Sequence, residues 1–267
     1  MEDWKTDNPR LAIIGAGNVA THMAMAFSSY LTGIWCRDYN HARMLADTVG
    51  TNAYNEFPLL NVIRPDIIIV SISDKGLPDL AQNVGRLDYD PLVLHTSGTV
   101  GMEVLAPMSP RYGIMYPLQT FSASVPVDMS RVPFFNEAVD ANDLGIIDSL
   151  ASKVSDSVLH ADAAHRRLLH IAGVFTSNFT NVLLECVQRV LSNGNYSLDV
   201  VRPLMDATVA KAFEVGPHEA QTGPACRGDF GVIKRQENAL DDDLKPVYQT
   251  LTDLILRLHG IKREIDQ

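Results

Sequence analysis

The feature that most constrains the fold is a glycine-rich turn near the start of the chain. An apolar run, residues 11–14, leads into Gly-Ala-Gly-Asn-Val-Ala at residues 15–20, and a segment of helical composition follows at once. This is the pattern G-x-G-x-x-G/A, in which the first glycine makes a tight turn and the second lets a pyrophosphate approach the backbone. A dinucleotide site is therefore predicted at the helix N-terminus. Its residues in the turn are Gly15, Ala16, Gly17, Asn18 and Val19.

Short apolar runs alternate with helical segments through the first half of the chain. Strands are predicted at residues 11–14, 33–36, 66–71, 91–95 and 112–115, and helices at 18–30 and 40–49. The run at 66–71 is apolar at consecutive positions, as expected of a strand that is buried on both faces. This alternation predicts crossover connections and a doubly wound, mostly parallel Rossmann sheet.

The second half has a different pattern. From Ala141 onward we expect no strand, and residues 162–191 read as one long helix without an interior proline. The predicted fold class is α/β, a Rossmann sheet followed by an all-α C-terminal domain. Residues 1–138 form the predicted dinucleotide-binding domain, and residues 139–267 a helical domain for substrate binding and dimerisation.

Charge and composition exclude several classes of partner. With 22 Lys and Arg against 32 Asp and Glu, the net charge of -10 disfavours nucleic acid and anionic membranes. The N-terminus lacks the basic and apolar regions of a signal peptide, and we find no apolar run long enough for a membrane span. The three cysteines are far apart, which indicates a reducing compartment and no metal site. A cytoplasmic protein with a small-molecule substrate is expected.

The residues after the second predicted strand select between NADP and NAD. Asp or Glu here binds the ribose 2′-hydroxyl of NAD, whereas an arginine accommodates the 2′-phosphate of NADP. Arg37 stands at this place, and Arg43 on the next helix adds charge, so we favour NADP. Asp38 supports the alternative, an acid of the NAD type. The cofactor-binding residues predicted outside the glycine turn are Arg37, Arg43, Ser71, Ile72 and Ser73.

Candidate catalytic residues come from a strand end and from the long helix. Ser97 follows a strand whose carboxyl end faces the cofactor crevice, and it is either a substrate hydrogen-bond donor or a helix cap. His95, at the end of that strand, reads equally well as a structural histidine. On the long helix, His170 is suited to proton exchange or is structural, and Asn178 needs a polar partner. In a Gly- and Pro-rich loop, Thr222 and Arg227 are candidate donors to an anionic substrate, and Asp229 a helix cap.

These segments together resemble one bacterial family. They are the glycine turn, His-Thr-Ser-Gly at 95–98, Tyr-Pro-Leu-Gln-Thr-Phe at 116–121, the stretch 170–178, and Thr-Gly-Pro-Ala-Cys-Arg-Gly-Asp at 222–229. The family joins a Rossmann-like domain to a helical domain of uncharacterised function and is assigned to NADP oxidoreductases. The resemblance covers nearly the whole chain.

More distantly, the chain is similar to the superfamily of 6-phosphogluconate, β-hydroxyacid and prephenate dehydrogenases. The resemblance implies hydride transfer between NADP(H) and a small carbonyl, imine or hydroxy-acid substrate, and a homodimer formed through the helical domain. The β-hydroxyacid enzymes place a catalytic lysine four residues before an asparagine on the long helix. If Asn178 matches that asparagine, Val174 occupies the lysine position. Two alternatives stay open: a non-catalytic NADP(H)-binding or sensing protein, and a prephenate-like dehydrogenase that would use Arg227, Arg166 and Arg167.

Overall fold

A computed structural model describes residues 8–262, and its centre is an eight-stranded sheet. The strands lie in the order β3-β2-β1-β4-β5-β6-β7-β8, and the first six are parallel. Their bounds are β1 Leu11–Ile14, β2 Leu31–Trp35, β3 Ala53–Tyr54, β4 Ile67–Val70, β5 Leu92–His95, β6 Tyr112–Pro117, β7 Phe134–Ala138 and β8 Val158–His160.

The central strands are buried on both faces. Along β1, Leu11 and Ile13 belong to one core cluster, while Ala12 and Ile14 belong to a second cluster on the opposite face. Since side chains alternate along a strand, this division shows that both faces of the sheet are covered. The predicted fold class, a doubly wound α/β sheet with a helical region after it, is confirmed.

Eleven α-helices occur within residues 8–262. Four of them, α1 to α4, lie between the parallel strands, and α5 packs near β6 and β7. The bounds are α1 Asn18–Ala26, α2 Tyr39–Val49, α3 Leu59–Ile63, α4 Leu77–Val84, α5 Ala141–Ala151, α6 Ala163–Gly173, α7 Thr180–Ser192, α8 Arg202–Val215, α9 Pro217–Ala220, α10 Phe230–Asn238 and α11 Leu244–Leu258. None of these helices is long and apolar enough to cross a membrane.

Two strands depart from the sequence expectations. Strand β7 runs antiparallel to β6, and β8 pairs in parallel with β7 beyond residue 140, where no strand was expected. That expectation is wrong at Val158–His160. The strand has only three residues, of which two are apolar, so its apolar run is too short to be recognised as a strand in the sequence.

The helix expected at 162–191 is interrupted by a π-helical segment. This π segment, Val174–Phe179, lies between α6 and α7. In a π-helix each hydrogen bond joins residues five apart, so the turn is wider than in an α-helix.

The contact pattern separates an N-terminal unit, which ends at Ser177, from a C-terminal unit, which begins at Asn178. The C-terminal unit has its own small core of Ala225, Ile233 and Leu256. The predicted domain boundary between residues 138 and 139 stays a prediction.

Candidate functional site

The glycine turn is fixed at its first glycine by the neighbouring strand. Gly15 has a φ of +129°, and a Cβ atom there would collide with the carbonyl oxygen of Ser71 at the end of β4. The Ser71 N–H also donates to the Ile14 carbonyl over 2.8 Å. Since L side chains rarely adopt this φ, only glycine lets β1 turn so closely past β4.

The second glycine of the turn faces open space. A Cβ atom built on Gly17 has no heavy atom within 4 Å, and Gly17 is the N-cap of α1 without a side-chain capping bond. The Asn18 side chain is turned aside, because its Oδ1 accepts from the Ala123 N–H over 3.1 Å. The first turn of α1 contains no acidic residue. The unpaired N–H groups and the positive end of the helix dipole therefore fit a pyrophosphate.

The residues after β2 favour an anion at Arg37. Asp38 is the N-cap of α2, and its Oδ1 accepts from the Asn40 N–H over 2.9 Å. The exposed Arg37 pairs with no carboxylate among residues 8–262. Arg43 forms an exposed ion pair, with its Nε 3.7 Å from Asp47 Oδ2. The carboxylate of Asp38 is thus engaged in the helix cap, and the guanidinium of Arg37 is available to a ligand.

The carboxyl ends of β4, β5 and β6 lie side by side. Val70 pairs with His95, and His95 pairs with Ile114. Just past this level the Ser71 hydroxyl lies 3.1 Å from the Thr96 hydroxyl, and Thr99 donates a short hydrogen bond to Asp74. Ile72 is half-buried and Ser73 is exposed between these contacts. Side chains that follow separate strands are therefore tied together at one edge of the sheet.

His95 organises the loop after β5. Its Nδ1 accepts from the Ser97 N–H over 3.1 Å, so its Nε2 donates to the Gly101 carbonyl over 3.3 Å. The ring is fully buried, and this burial lowers the pKa of His95 to about 4. His95 is a neutral structural histidine, one of the two readings that the sequence left open.

The buried His95 makes stability depend on pH. Its pKa falls from 6.5 to about 4 on folding, so the unfolded chain takes up a proton first as the pH drops. The free energy of unfolding that depends on neutral His95 is therefore fully present above pH 6.5 and is lost as the pH falls from 6.5 to 4. We expect the loss to be about 3 kcal/mol.

Urea unfolding followed by the fluorescence of the buried Trp35 measures this loss. The variant His95→Asn keeps an acceptor for the Ser97 N–H but does not titrate in this range. The difference in unfolding free energy between wild type and variant should shrink from pH 7 to pH 4. If the free energies of unfolding of the two proteins changed by the same amount from pH 7 to pH 4, His95 would not be the cause of the pH dependence.

Ser97 caps the turn that follows β5. Its Oγ accepts from the N–H groups of Thr99 and Val100, each over 3.1 Å, and the side chain is buried. These bonds correspond to the capping role that the sequence allowed. The hydroxyl proton of Ser97 is still free to be donated, so a role toward substrate stays a prediction.

His170 lies against the loop after β5 and the end of β6. The Tyr116 hydroxyl is 3.3 Å from His170 Nδ1, and a Cβ atom on Gly98 would lie 3.0 Å from the same nitrogen. His170 itself is exposed. It therefore faces the carboxyl edge of the sheet, where the sequence placed the cofactor crevice. Sequence reasoning did not identify Tyr116 and Gly98 as its partners.

Arg166 is a structural residue and not a substrate donor. It is 1% exposed, forms a very short ion pair with Glu137, and donates to the Ala161 carbonyl over 3.0 Å and to the Val100 carbonyl over 3.4 Å. The prephenate-like alternative counted Arg166 among its possible donors to a dicarboxylate, and the burial of Arg166 against Glu137 removes it from that set. The neighbouring Arg167 is exposed.

The three remaining candidates lie in the C-terminal unit. Asn178 is exposed within the π segment, and Thr222 and Arg227 are exposed in the loop and turn before α10. Their roles stay predictions. Asp229 caps α10 by accepting from the Val232 N–H over 3.1 Å, as expected. Within residues 8–262, no three His, Cys, Asp or Glu side chains gather as metal ligands.

Comparison with known proteins gives one family-model match and several structural matches. The model of a domain of unknown function (DUF2520) matches residues 132–255. The crystal structure of a putative NADP oxidoreductase from Bacteroides fragilis is 34% identical, with a TM-score of 0.86, and the match covers 95% of this chain and 100% of that one. No curated protein sequence matches the chain.

Two more distant structures share the fold. A protein from Thermotoga maritima is 19% identical, with a TM-score of 0.76 and coverage of 94% of this chain and 99% of that one. A reductive aminase from Aspergillus terreus, solved with NADPH and ethyl-5-oxohexanoate, is 13% identical with a TM-score of 0.61. That match covers 96% of this chain and 89% of the aminase chain.

Proposed function

Because this chain belongs to the family of the Bacteroides fragilis protein, we propose that it is an NADP(H)-dependent oxidoreductase. Hydride would pass between the nicotinamide and a small carbonyl, imine or hydroxy-acid substrate. The observation that carries the proposal is the open N-terminus of α1 at Gly17, which fits a pyrophosphate. The fold shared with the NADPH-bound reductive aminase adds support.

Different residues of the chain are proposed to bind the cofactor, to bind the substrate and to move the proton. Gly17 and the N–H groups that open α1 bind the pyrophosphate, Arg37 pairs with the 2′-phosphate, and Ser71 to Ser73 line the nicotinamide side. The cofactor supplies the hydride when bound. The protein must then orient the substrate and move one proton. Ser97, His170 and Asn178 are the proposed residues for that task, with Thr222 and Arg227 proposed to hold the substrate.

NADPH is expected to bind more tightly than NADH because Arg37 is available to the 2′-phosphate. A charge-assisted pair contributes on the order of 1.5–3 kcal/mol, which corresponds to about a ten- to hundredfold difference in Kd. Fluorescence titration with each cofactor at low salt measures this preference. Arg37→Ala should remove most of it, whereas Arg86→Ala, which removes an exposed arginine paired with Asp90, should not. Equal affinities in the wild type would overturn the choice of NADP.

Turnover separates an enzyme from a cofactor sensor. We propose to follow NADPH oxidation with a panel of aldehydes, ketones, 2-oxo acids and cyclic imines. Oxidation with any class supports the reductase proposal. Saturable NADPH binding without oxidation across the panel would favour the non-catalytic alternative. The prephenate-like alternative needs several cations to bind a dicarboxylate substrate. Arg166 is not one of them, since it is buried against Glu137.

We also propose a homodimer formed through the helical region. The C-terminal unit exposes large apolar side chains on several helices, among them Leu204, Val209 and Phe213 of α8, and Phe213 is 89% exposed. Exposed large apolar side chains favour association between protein chains. A second copy of the same chain is the proposed occupant.

A further inference from the structure

Tyr116 is a buried phenol at the carboxyl end of β6. Its side chain is 8% exposed, and its hydroxyl lies 3.3 Å from His170 Nδ1. The two rings are tilted by 51°, with centroids 6.4 Å apart. A buried phenol needs a partner for its hydroxyl, and His170 supplies one here. His170 as a residue is exposed to water.

Gly98 keeps this pair closely packed. A Cβ atom on Gly98 would lie 2.7 Å from Tyr116 Cζ and 3.0 Å from His170 Nδ1, so the loop backbone lies directly against both rings. The loop is held in turn by the Ser97 cap and by the contact from Arg166 to the Val100 carbonyl. The geometry of the phenol and the imidazole is therefore set by several independent contacts.

The pair lies at the edge of the sheet that carries the glycine turn. Strand β6 is three places from β1 in the sheet order, roughly 14 Å at the usual strand spacing. This interval leaves room for a nicotinamide nucleotide that extends from the pyrophosphate position toward the substrate. A proton donor is needed at the far end of such a path.

We propose that Tyr116 transfers the proton in the reaction and that His170 resupplies it. This inference rests on the proposed function. As hydride from NADPH forms the new C–H bond, the electrons of the carbonyl or imine double bond move to its oxygen or nitrogen. Tyr116 gives up its O–H proton to that atom. His170 then transfers its Nδ1 proton to the phenolate and takes a proton back from water. The net change is reduction of the substrate by NADPH and one proton.

The charges around the pair keep the phenol protonated. Burial raises the pKa of Tyr116, and the carboxylate of Asp74 raises that pKa further. On α6, the Arg and Lys residues are Arg166, which is paired with Glu137, and the exposed Arg167, four and three positions before His170. Tyr116 therefore keeps its proton at neutral pH until the substrate takes it, and the contact of 3.3 Å lets a proton return from His170 Nδ1 to the phenolate.

The variant Tyr116→Phe removes only the hydroxyl and leaves the buried ring in place. With the panel compound that the wild type reduces fastest, we expect kcat to fall by about 10²- to 10⁴-fold, the usual range for losing a general acid. The Kd for NADPH should stay the same. Tyr112→Phe removes a phenol hydroxyl from the other end of β6 and is the matched control.

His170→Asn should also lower kcat, because the Tyr116 phenolate loses the group that returns its proton, while the Kd for NADPH should stay the same. His165→Asn is the control, because His165 is an exposed histidine on the same helix.

A second readout needs neither substrate nor turnover. Nitrogen-15 NMR of the cofactor-free protein reports on the ring nitrogens of His170, which the His170→Asn spectrum assigns. Tyr116→Phe should shift the Nδ1 resonance, and Tyr112→Phe should not. An unchanged resonance, or a Tyr116→Phe enzyme whose kcat stays within about threefold of the wild type, would overturn the relay. Titration of the wild type with NADPH tests the proposed function separately, so the two failures are distinguishable.

Discussion

Replacing Gly17 with valine is expected to abolish NADPH binding and to leave the fold intact. The Cβ position of Gly17 faces open space, so the branched side chain meets no protein atom. It does occupy the approach of the pyrophosphate to the first N–H groups of α1. Losing two charge-assisted hydrogen bonds at about 1.5–3 kcal/mol each weakens binding by roughly 10²- to 10⁴-fold. Fluorescence titration with NADPH measures the loss, and circular dichroism checks the fold.

Gly15 gives the matched contrast. Gly15→Ala should lower the melting temperature, because its φ is +129° and its Cβ would collide with the Ser71 carbonyl oxygen. The two glycines of one motif thus have separate roles, one in the fold and one in the ligand approach. Normal NADPH binding by the Gly17→Val protein would mean that the motif is only a turn.

Arg166→Ala is expected to destabilise the N-terminal unit by about 3–5 kcal/mol, the usual cost of removing one partner of a buried ion pair. The substitution leaves Glu137 without its cation and the Ala161 and Val100 carbonyls without a donor. Urea unfolding followed by Trp35 fluorescence measures the change. The loop that holds Gly98 against Tyr116 and His170 would lose one of its contacts as well.

Two further variants show whether the ion pair is the cause. Arg167→Ala removes the neighbouring exposed arginine and should change stability by no more than about 0.5 kcal/mol. The double variant Arg166→Met with Glu137→Gln removes both charges and should regain much of the lost stability. A double variant as unstable as Arg166→Ala would assign the loss to packing around the long side chain instead.

The sequence predicted the parallel part of the sheet because buried parallel strands are continuous apolar runs. Residues Ile67–Val70 are an example, since all four are buried. Strand β8 was missed for the opposite reason. Val158–His160 is a short edge strand whose pairing with β7 comes from tertiary contacts and not from its own composition. Arg166 was misjudged because a charged residue on a helix is usually exposed, and only the fold reveals its partner Glu137.

The candidate site was only partly predictable. Ser97 and His170 were selected by their place in the fold and by their chemistry, and the structure puts His170 beside Gly98. Tyr116 was quoted for a resemblance but not considered as a proton donor. It lies at the carboxyl end of β6, a parallel strand next to β5, so the rule that selected Ser97 would have selected Tyr116 too.

The π segment changes how this chain should be aligned with dehydrogenases that carry a lysine four residues before an asparagine. Counting back four from Asn178 reaches Val174, but both residues lie inside the segment Val174–Phe179. A π-helical turn contains more residues than an α-helical turn, so the side chains at positions 174 and 178 point in different relative directions here from those they would have in a regular α-helix. Counting four residues back from Asn178 therefore does not by itself locate the lysine position. The presence of Val174 does not by itself show that a proton-transfer group has been lost.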